Sequence, residues 1–202
     1  IDALKNVDMV IDLIGLLWSK QQDEITEAGP RMLLVLEPID PPLPGFAPGQ
    51  FAMLTAFGVG EVPISVSGGL GSTTLLEHTL RAVGAVTQAL HGSERGHVLG
   101  VRGPFGTGWD LAAARGRDLL LVAGGIGLAP LQPVLRAALA TPADYGRIVL
   151  LVGARSPADL LYPSELEELR DRPGVQVGIT VDRPGDGWPG HVGVVTTLLD
   201  WA

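Results

Sequence analysis

Apolar and polar residues follow three different rhythms along this chain. Over residues 1–20, Leu4, Val7, Ile11, Ile14 and Trp18 recur at three/four spacing with Lys5, Asp8 and Asp12 opposite, which predicts an amphipathic helix. Such a terminal helix either covers a core or meets a partner. Polar residues running through Gly29-Pro30 then predict a linker. From Arg31 to about Gly106 the rhythm shortens to strands of a few residues at Met32–Glu37, Gln50–Ala56, Val62–Ser67, Leu75–Val83 and His97–Arg102. Turn pairs separate them: Pro41-Pro42, Pro48-Gly49, Gly68-Gly69 and Gly103-Pro104. Short strands at this spacing predict a small antiparallel β-barrel, with one short helix at Val86–Leu90.

From Asp118 the rhythm becomes strand–helix–strand. Leu119–Val122, Ile148–Val152 and Val175–Val181 read as buried strands of a Rossmann-like parallel α/β sheet. A helix follows the first from near Pro130, with Pro130 and Pro133 placed in its first turn. A second covers Ser164–Arg170, with Ser164 as N-cap and Glu167 three residues on. The division expected is 1–29 helix and linker, 30–110 barrel, and 111–202 nucleotide-binding domain. With three strands counted, that last sheet has an open edge and an uncovered face, and Leu198, Leu199 and Trp201 have little to pack against. Self-association or a partner chain is therefore expected.

Composition narrows the function. A net charge of −8 argues against nucleic acid and anionic membrane surfaces. The absence of cysteine excludes disulfides, thiolate zinc and a Cys-bound iron–sulfur cluster within these 202 residues. Four histidines (His78, His91, His97, His191) lack ligand spacing, so no metal site is expected. No uncharged apolar run reaches the ~18 residues of a membrane span. The sequence opens at Ile1 rather than Met, which leaves open whether a targeting segment precedes it.

The strongest chemical signal follows the first buried strand. Ala123-Gly124-Gly125-Ile126-Gly127 leads into an apolar helix, and Gly125, Gly127 and Pro130 form a Gly-x-Gly-x-x-Pro pattern. Glycines let the backbone turn tightly and approach a ligand, and a helix start presents N–H groups to an anion. The alternative is a strand–turn–helix without ligand. Gly84-Ala85-Val86-Thr87 is either a second phosphate cradle or a capped helix start. Arg155-Ser156 ends the second strand, where an adenine ribose lies in dinucleotide folds. With no carboxylate there to take a 2′-hydroxyl, a 2′-phosphate is accommodated instead, unless Arg155 is a solvated surface residue. Glu165, Glu167 and Glu168 read as a helix face, and no acid–base pair or nucleophile–His arrangement is apparent.

In order, PGQF (Pro48–Phe51), PIS (Pro63–Ser65), LRAVGAVT (Leu80–Thr87), GVRGPFG (Gly100–Gly106), VAGGIGLAP (Val122–Pro130) and GARSPADLLY (Gly153–Tyr162) resemble the ferredoxin–NADP reductase superfamily. The likeness runs from about Met32 to Leu199, and within the superfamily it points to the gamma, electron-transfer subunits of soluble nickel–iron hydrogenases. The electron-transfer subunit of dihydroorotate dehydrogenase is a near relative. The resemblance implies an FAD-binding barrel and an NAD(P)H-binding domain in a cytoplasmic flavin oxidoreductase that passes electrons to an iron–sulfur or hydrogenase partner. It implies that Pro63, Ile64 and Ser65 lie against the flavin, and that Thr79, Leu80 and Arg81 contact it or its ribityl chain. Gly84, Val86 and Thr87 would hold the FAD pyrophosphate. Gly124, Gly125, Ile126, Gly127 and Pro130 would hold that of NAD(P)H, with Arg155 and Ser156 at the adenosine end.

Three departures stand beside it. Val62 and Ile64 replace the family's Arg and aromatic residue on the flavin strand, leaving Arg81 or Arg102 to compensate. Residues 1–29 do not look like the first barrel strand, and Ala202 precedes the expected Cys-Gly-Pro segment and the cysteines that hold an iron–sulfur cluster. The competing reading is a non-catalytic remnant or assembly subunit that binds flavin weakly or not at all.

Overall fold

The computed structural model describes residues 9–12, 31–37, 45–70 and 75–202. These divide into two compact units. The first runs to residue 109 from residue 31 and includes 129–134; the second holds 9–12, 110–128 and 135–202.

The first unit is an antiparallel sheet of β2 (Arg31–Leu36), β3 (Phe51–Ala56), β4 (Gly60–Gly68), β5 (Leu76–Arg81) and β6 (Gly100–Phe105), in the order β2-β5-β4-β3-β6. Alternate residues face opposite sides of a strand, so Ala52, Leu54, Val66, Leu76 and Leu80 gather into one core with Leu34, Phe46 and Leu90. Leu90 comes from helix α1 (Ala85–His91). Strand β6 differs from the sequence reading. It starts at Gly100 rather than His97 and continues through the expected Gly103-Pro104 turn, whose peptide bond is cis. Phe46 and the Phe51 carbonyl lie 3.1 and 3.3 Å from where a Cβ on Gly103 would stand, so the strand passes there only without a side chain. The Pro48-Gly49 turn forms as expected. Gly49 has φ +94 and lies against the Trp109 ring, whose backbone N–H donates to the Pro48 carbonyl at 2.8 Å. The linker residues and the Pro41-Pro42 turn lie outside the described residues.

The second unit is a parallel sheet in the order β1-β7-β8-β9-β10. Its central strands, β7 (Leu119–Gly124) and β8 (Ile148–Ala154), are buried almost throughout, as their continuous apolar sequence requires. Strand β9 (Val175–Val181) is the third expected strand. Two more complete the sheet and correct the count of three. β1 (Met9–Asp12) pairs with β7 through Met9↔Leu119 to Asp12↔Val122, and β10 (His191–Val192) pairs with β9. Within the expected N-terminal helix, residues 9–12 are therefore a strand; the remainder of that segment lies outside the described residues. The apolar run Met9-Val10-Ile11 satisfies both periods over so short a length, and a parallel partner decides for strand. The edges expected to be open are thus paired.

Helix α2 (Leu128–Ala140) starts two residues before Pro130, after a 3₁₀ turn at Gly125–Gly127. Pro133 consequently lies inside the helix, where it has no N–H to offer the preceding turn. Helix α3 (Pro163–Arg170) is capped by Tyr162 at φ 49, not by Ser164, because Pro163 supplies the first helical residue. The C-terminal residues also find a core. Val195 and Leu198 are buried against Leu120, Val122, Val149 and Leu151, with Leu199 beside them, and the Trp201 ring lies 3.1 Å from where a Cβ on Gly178 would stand.

Candidate nucleotide-binding sites

In the barrel unit the candidate residues sit where β4 and β5 part. Their ladder consists of Gly68↔Glu77 and Val66↔His78, with a bulge between, after which β4 pairs with β3 and β5 with β2. Pro63, Ser65 and Ser67 alternate with Val62, Ile64 and Val66, and the latter three pack on the core. On β5, Glu77, Thr79 and Arg81 alternate with Leu76, His78 and Leu80. The hydroxyls of Ser67 and Thr79, both buried, are hydrogen-bonded across the strands at 2.9 Å. Pro63, Ser65, Thr79 and Arg81 thus share a face with Ser67, a residue the sequence reading missed. Leu80 is 2% exposed and has only its backbone to offer a ligand.

Arg102, one of the two arginines considered, is paired with Glu61. Its Nε and Nη2 donate to the two oxygens of Glu61 at 3.1 and 2.7 Å, and its guanidinium lies 5.3 Å from the centroid of Phe105. Hydrogen bonding from Arg102 holds the Glu61 carboxyl below its ordinary range, and Glu61 in turn raises Arg102. Of the two arginines considered, Arg81 is the one on the candidate face.

At the start of α1, the Thr87 hydroxyl bonds within its own loop. Its Oγ1 accepts from Val83 N at 3.1 Å and Gly84 N at 2.9 Å, and donates to the Gly84 carbonyl at 3.0 Å. One proton and two lone pairs are all a hydroxyl has, so Thr87 shapes the loop from within. Gly84 is different. Its φ of −131 suits any residue, and the nearest atom to an added Cβ is 4.0 Å away, so neither backbone nor neighbours demand glycine there. A cradle that a side chain would fill fits a ligand passing close to the backbone.

In the second unit, Gly124 ends β7 opposite Gly153 of β8, at the carboxyl edge of the parallel sheet. Ligands of open α/β sheets bind at this edge. Gly125 turns the chain at φ +53 with nothing within 4 Å of an added Cβ, and Gly127 and Pro130 lead into α2. Gly153 is a packing glycine, since Val195 would stand 2.7 Å from its Cβ. Beyond β8, a carboxylate that the sequence reading did not weigh lies beside Ser156. Ser156 Oγ donates to Asp159 Oδ2 at 2.7 Å, and Asp159 N returns to the Ser156 carbonyl at 2.9 Å. A 3₁₀ turn at Pro157–Asp159 brings back a residue three positions on, which the sequence reading did not consider.

Residues 121–200 match the family described as an oxidoreductase NAD-binding domain. Over 151 residues the chain is 40% identical to the sulfhydrogenase 1 subunit gamma of Pyrococcus furiosus, covering 73% of this chain and 51% of that one. It is 40% identical over 145 residues to the probable dihydroorotate dehydrogenase B (NAD(+)) electron transfer subunit of Methanothermobacter thermautotrophicus, covering 71% and 50%. The structure of the Amycolatopsis cytochrome P450 reductase GcoB superposes with a TM-score of 0.70 at 26% identity, over 84% of this chain and 53% of that one. The chain belongs to the ferredoxin–NADP reductase superfamily. An antiparallel sheet followed by a parallel one with helices is that superfamily's two-domain plan. As a superfamily member the chain spans about half the length of the curated relatives it matches. Residues 1–43 match a separate family, described as 2,5-dihydroxypyridine 5,6-dioxygenase; the described parts of that stretch are β1 and residues 31–37, which include β2.

Proposed function

We propose that this chain is the FAD- and NAD(P)H-binding part of a flavin-dependent oxidoreductase, an electron-transfer subunit that hands electrons to an iron–sulfur partner such as a hydrogenase. The observation that carries this reading is the Gly124–Gly127 turn at the carboxyl edge of the parallel sheet, with Gly125 at φ +53 and open space before it. Gly124, Gly125, Ile126, Gly127 and Pro130 would hold the NAD(P)H pyrophosphate, and Arg155, Ser156 and Asp159 the adenosine ribose. On the barrel, Pro63, Ser65, Thr79 and Arg81 would lie against the flavin, with Ile64, whose side chain packs on the core, contributing backbone alone. Gly84 and Val86 would meet the FAD pyrophosphate by backbone, on a loop that Thr87 braces, and Leu80 would contribute backbone alone. A bound flavin supplies the exchange between hydride and single-electron chemistry. The chain's own share is to bind, orient and exclude water.

The partner follows from the relatives' names: a sulfhydrogenase subunit and an electron transfer subunit both work within larger assemblies. Among the described residues no helix is long and apolar enough to cross a membrane, and we place the protein in the cytoplasm. The remnant reading is not favoured, because both glycine turns keep the space a ligand needs. The test is the visible spectrum of the purified chain with added FAD, under anaerobic titration with NADH and NADPH. Flavin absorption near ~450 nm that either nucleotide bleaches is expected. A chain that takes up no FAD overturns the proposal.

A further inference from the structure

His78 is a histidine with no role in the function proposed above. It lies on the core side of β5, 0% exposed, across from Val66 at the last rung before β4 and β5 part. Its Nδ1 is 3.0 Å from the Ser65 carbonyl oxygen. A carbonyl can only accept, so Nδ1 carries the proton. Nε2 is then a bare lone pair, buried and without a hydrogen-bond partner. An unmatched buried nitrogen is unfavourable, and leucine would fill such a space without it. What histidine adds is a donor for one particular carbonyl.

That carbonyl belongs to the peptide unit joining Ser65 and Val66, and the other end of the same unit is also held. Val66 N donates to the carbonyl of Gln50, the residue just before β3, at 3.1 Å. Gln50 is itself fixed, because its Oε1 accepts from Ala47 N and its Nε2 donates to the Gly106 carbonyl, both at 2.9 Å. One peptide plane is therefore pinned by the residue before β3 on one side and from β5 on the other, at the last rung of the β4–β5 ladder. Rotating a peptide plane re-aims the side chain attached to it, and Ser65 is that side chain. We propose that His78 is a positioning residue: as the neutral Nδ1–H tautomer it clamps the Ser65 carbonyl and so sets the direction in which Ser65 faces the flavin. The proposal rests on the flavin-binding reading for its consequence, but the clamp itself is a property of the chain.

Two measurements test it. In the first, the histidine ring nitrogens of the ¹⁵N-labelled full chain are observed by long-range NMR correlation at neutral pH. A pyrrole-like Nδ1 and a pyridine-like Nε2 are expected for His78; the opposite tautomer, or a charged ring, overturns the clamp. In the second, His78→Asn, His78→Gln and His78→Leu are compared for FAD affinity by fluorescence titration and for the visible spectrum of the bound flavin. The Asn amide nitrogen occupies the place of Nδ1, whereas Gln reaches toward Nε2. We expect Leu and Gln to weaken FAD about tenfold and to shift the spectrum, with Asn restoring affinity to within a few-fold of wild type. Asn no better than Leu overturns the proposal. If the variants do not fold, the tautomer measurement on the unaltered chain decides. A wild-type chain that binds no FAD defeats the proposed function, whereas wild-type binding that is indifferent to residue 78 defeats this inference alone.

Discussion

Three residues show how far burial and hydrogen bonding reassign roles that sequence spacing suggests. Burial pushes the His78 imidazole down to about 4, against the opposing pull of the Ser65 and Ile64 carbonyls. In the unfolded chain the same group titrates near 6.5. Below that value the unfolded state binds a proton that the folded state refuses, so stability falls as pH drops from about 6.5 toward 4. The 6.5-to-4 gap corresponds to roughly 3 kcal/mol in total, fully present above pH 6.5. Denaturant unfolding between pH 4 and 8 should show this slope, and His78→Leu should flatten it. Thr87 and Gly84 make a contrasting pair. Thr87→Ala removes the bracing of two N–H groups and should cost ~1–3 kcal/mol of stability, with Thr87→Ser recovering most of it. Gly84→Val places a Cβ 4.0 Å from its nearest protein atom, Thr87 Oγ1, and should cost only about 1 kcal/mol through a poorer N-cap while lowering FAD affinity at least tenfold. A Gly84→Val chain that loses much more stability than this, or binds FAD normally, would show that the cradle has been misplaced.

At the level of strands and turns, the nucleotide preference belongs to the 3₁₀ turn that follows β8. A carboxylate beside the ribose accepts the 2′-hydroxyl and repels a 2′-phosphate, whereas arginine does the reverse. With Asp159 bonded to Ser156, we expect NADH to be used at least as well as NADPH, the opposite of what Arg155 alone implies. Asp159→Asn should move the ratio of kcat/KM several-fold toward NADPH, and Arg155→Ala several-fold away from it. Equal effects on both nucleotides would remove these residues from the specificity site. The difference between the two readings illustrates what a sequence exposes. Continuous apolar runs identify β7 and β8, and alternation identifies β4 and β9, because burial dictates those patterns directly. β1 and β10 are too short to carry a period of their own and owe their strand conformation to distant partners. Asp159 is legible only through the Ser-x-x-Asp spacing from Ser156, which marks a capped turn; the residues adjacent to Arg155 give no sign of it. A single histidine within an alternating strand, likewise, gives no sign of which carbonyl it will face.

For the whole molecule, β1 and β10 cover the outer rungs of β7 and β9 and become the edge strands themselves, so the expected need for a partner no longer rests on a three-stranded sheet. The two compact units should also respond to ligands separately. Each ligand stabilises what it binds by mass action, about 2.7 kcal/mol at a hundredfold excess over Kd. Hydrogen exchange should therefore slow within residues 45–109 on adding FAD, and within 110–128 and 135–202 on adding NAD(P)H. Protection by FAD confined to the parallel sheet would contradict the assignment of ligands to units. Trp109 provides an optical route to the same question. Its indole covers Gly49 in the barrel unit, whereas Trp188 and Trp201 belong to the other unit. Flavin absorption overlaps indole emission, so a Trp109 that stands alone in a Trp18→Phe/Trp188→Phe/Trp201→Phe background becomes an intrinsic energy-transfer donor. Its fluorescence would report flavin arrival in real time, without a label, in a chain that offers no thiol to attach one.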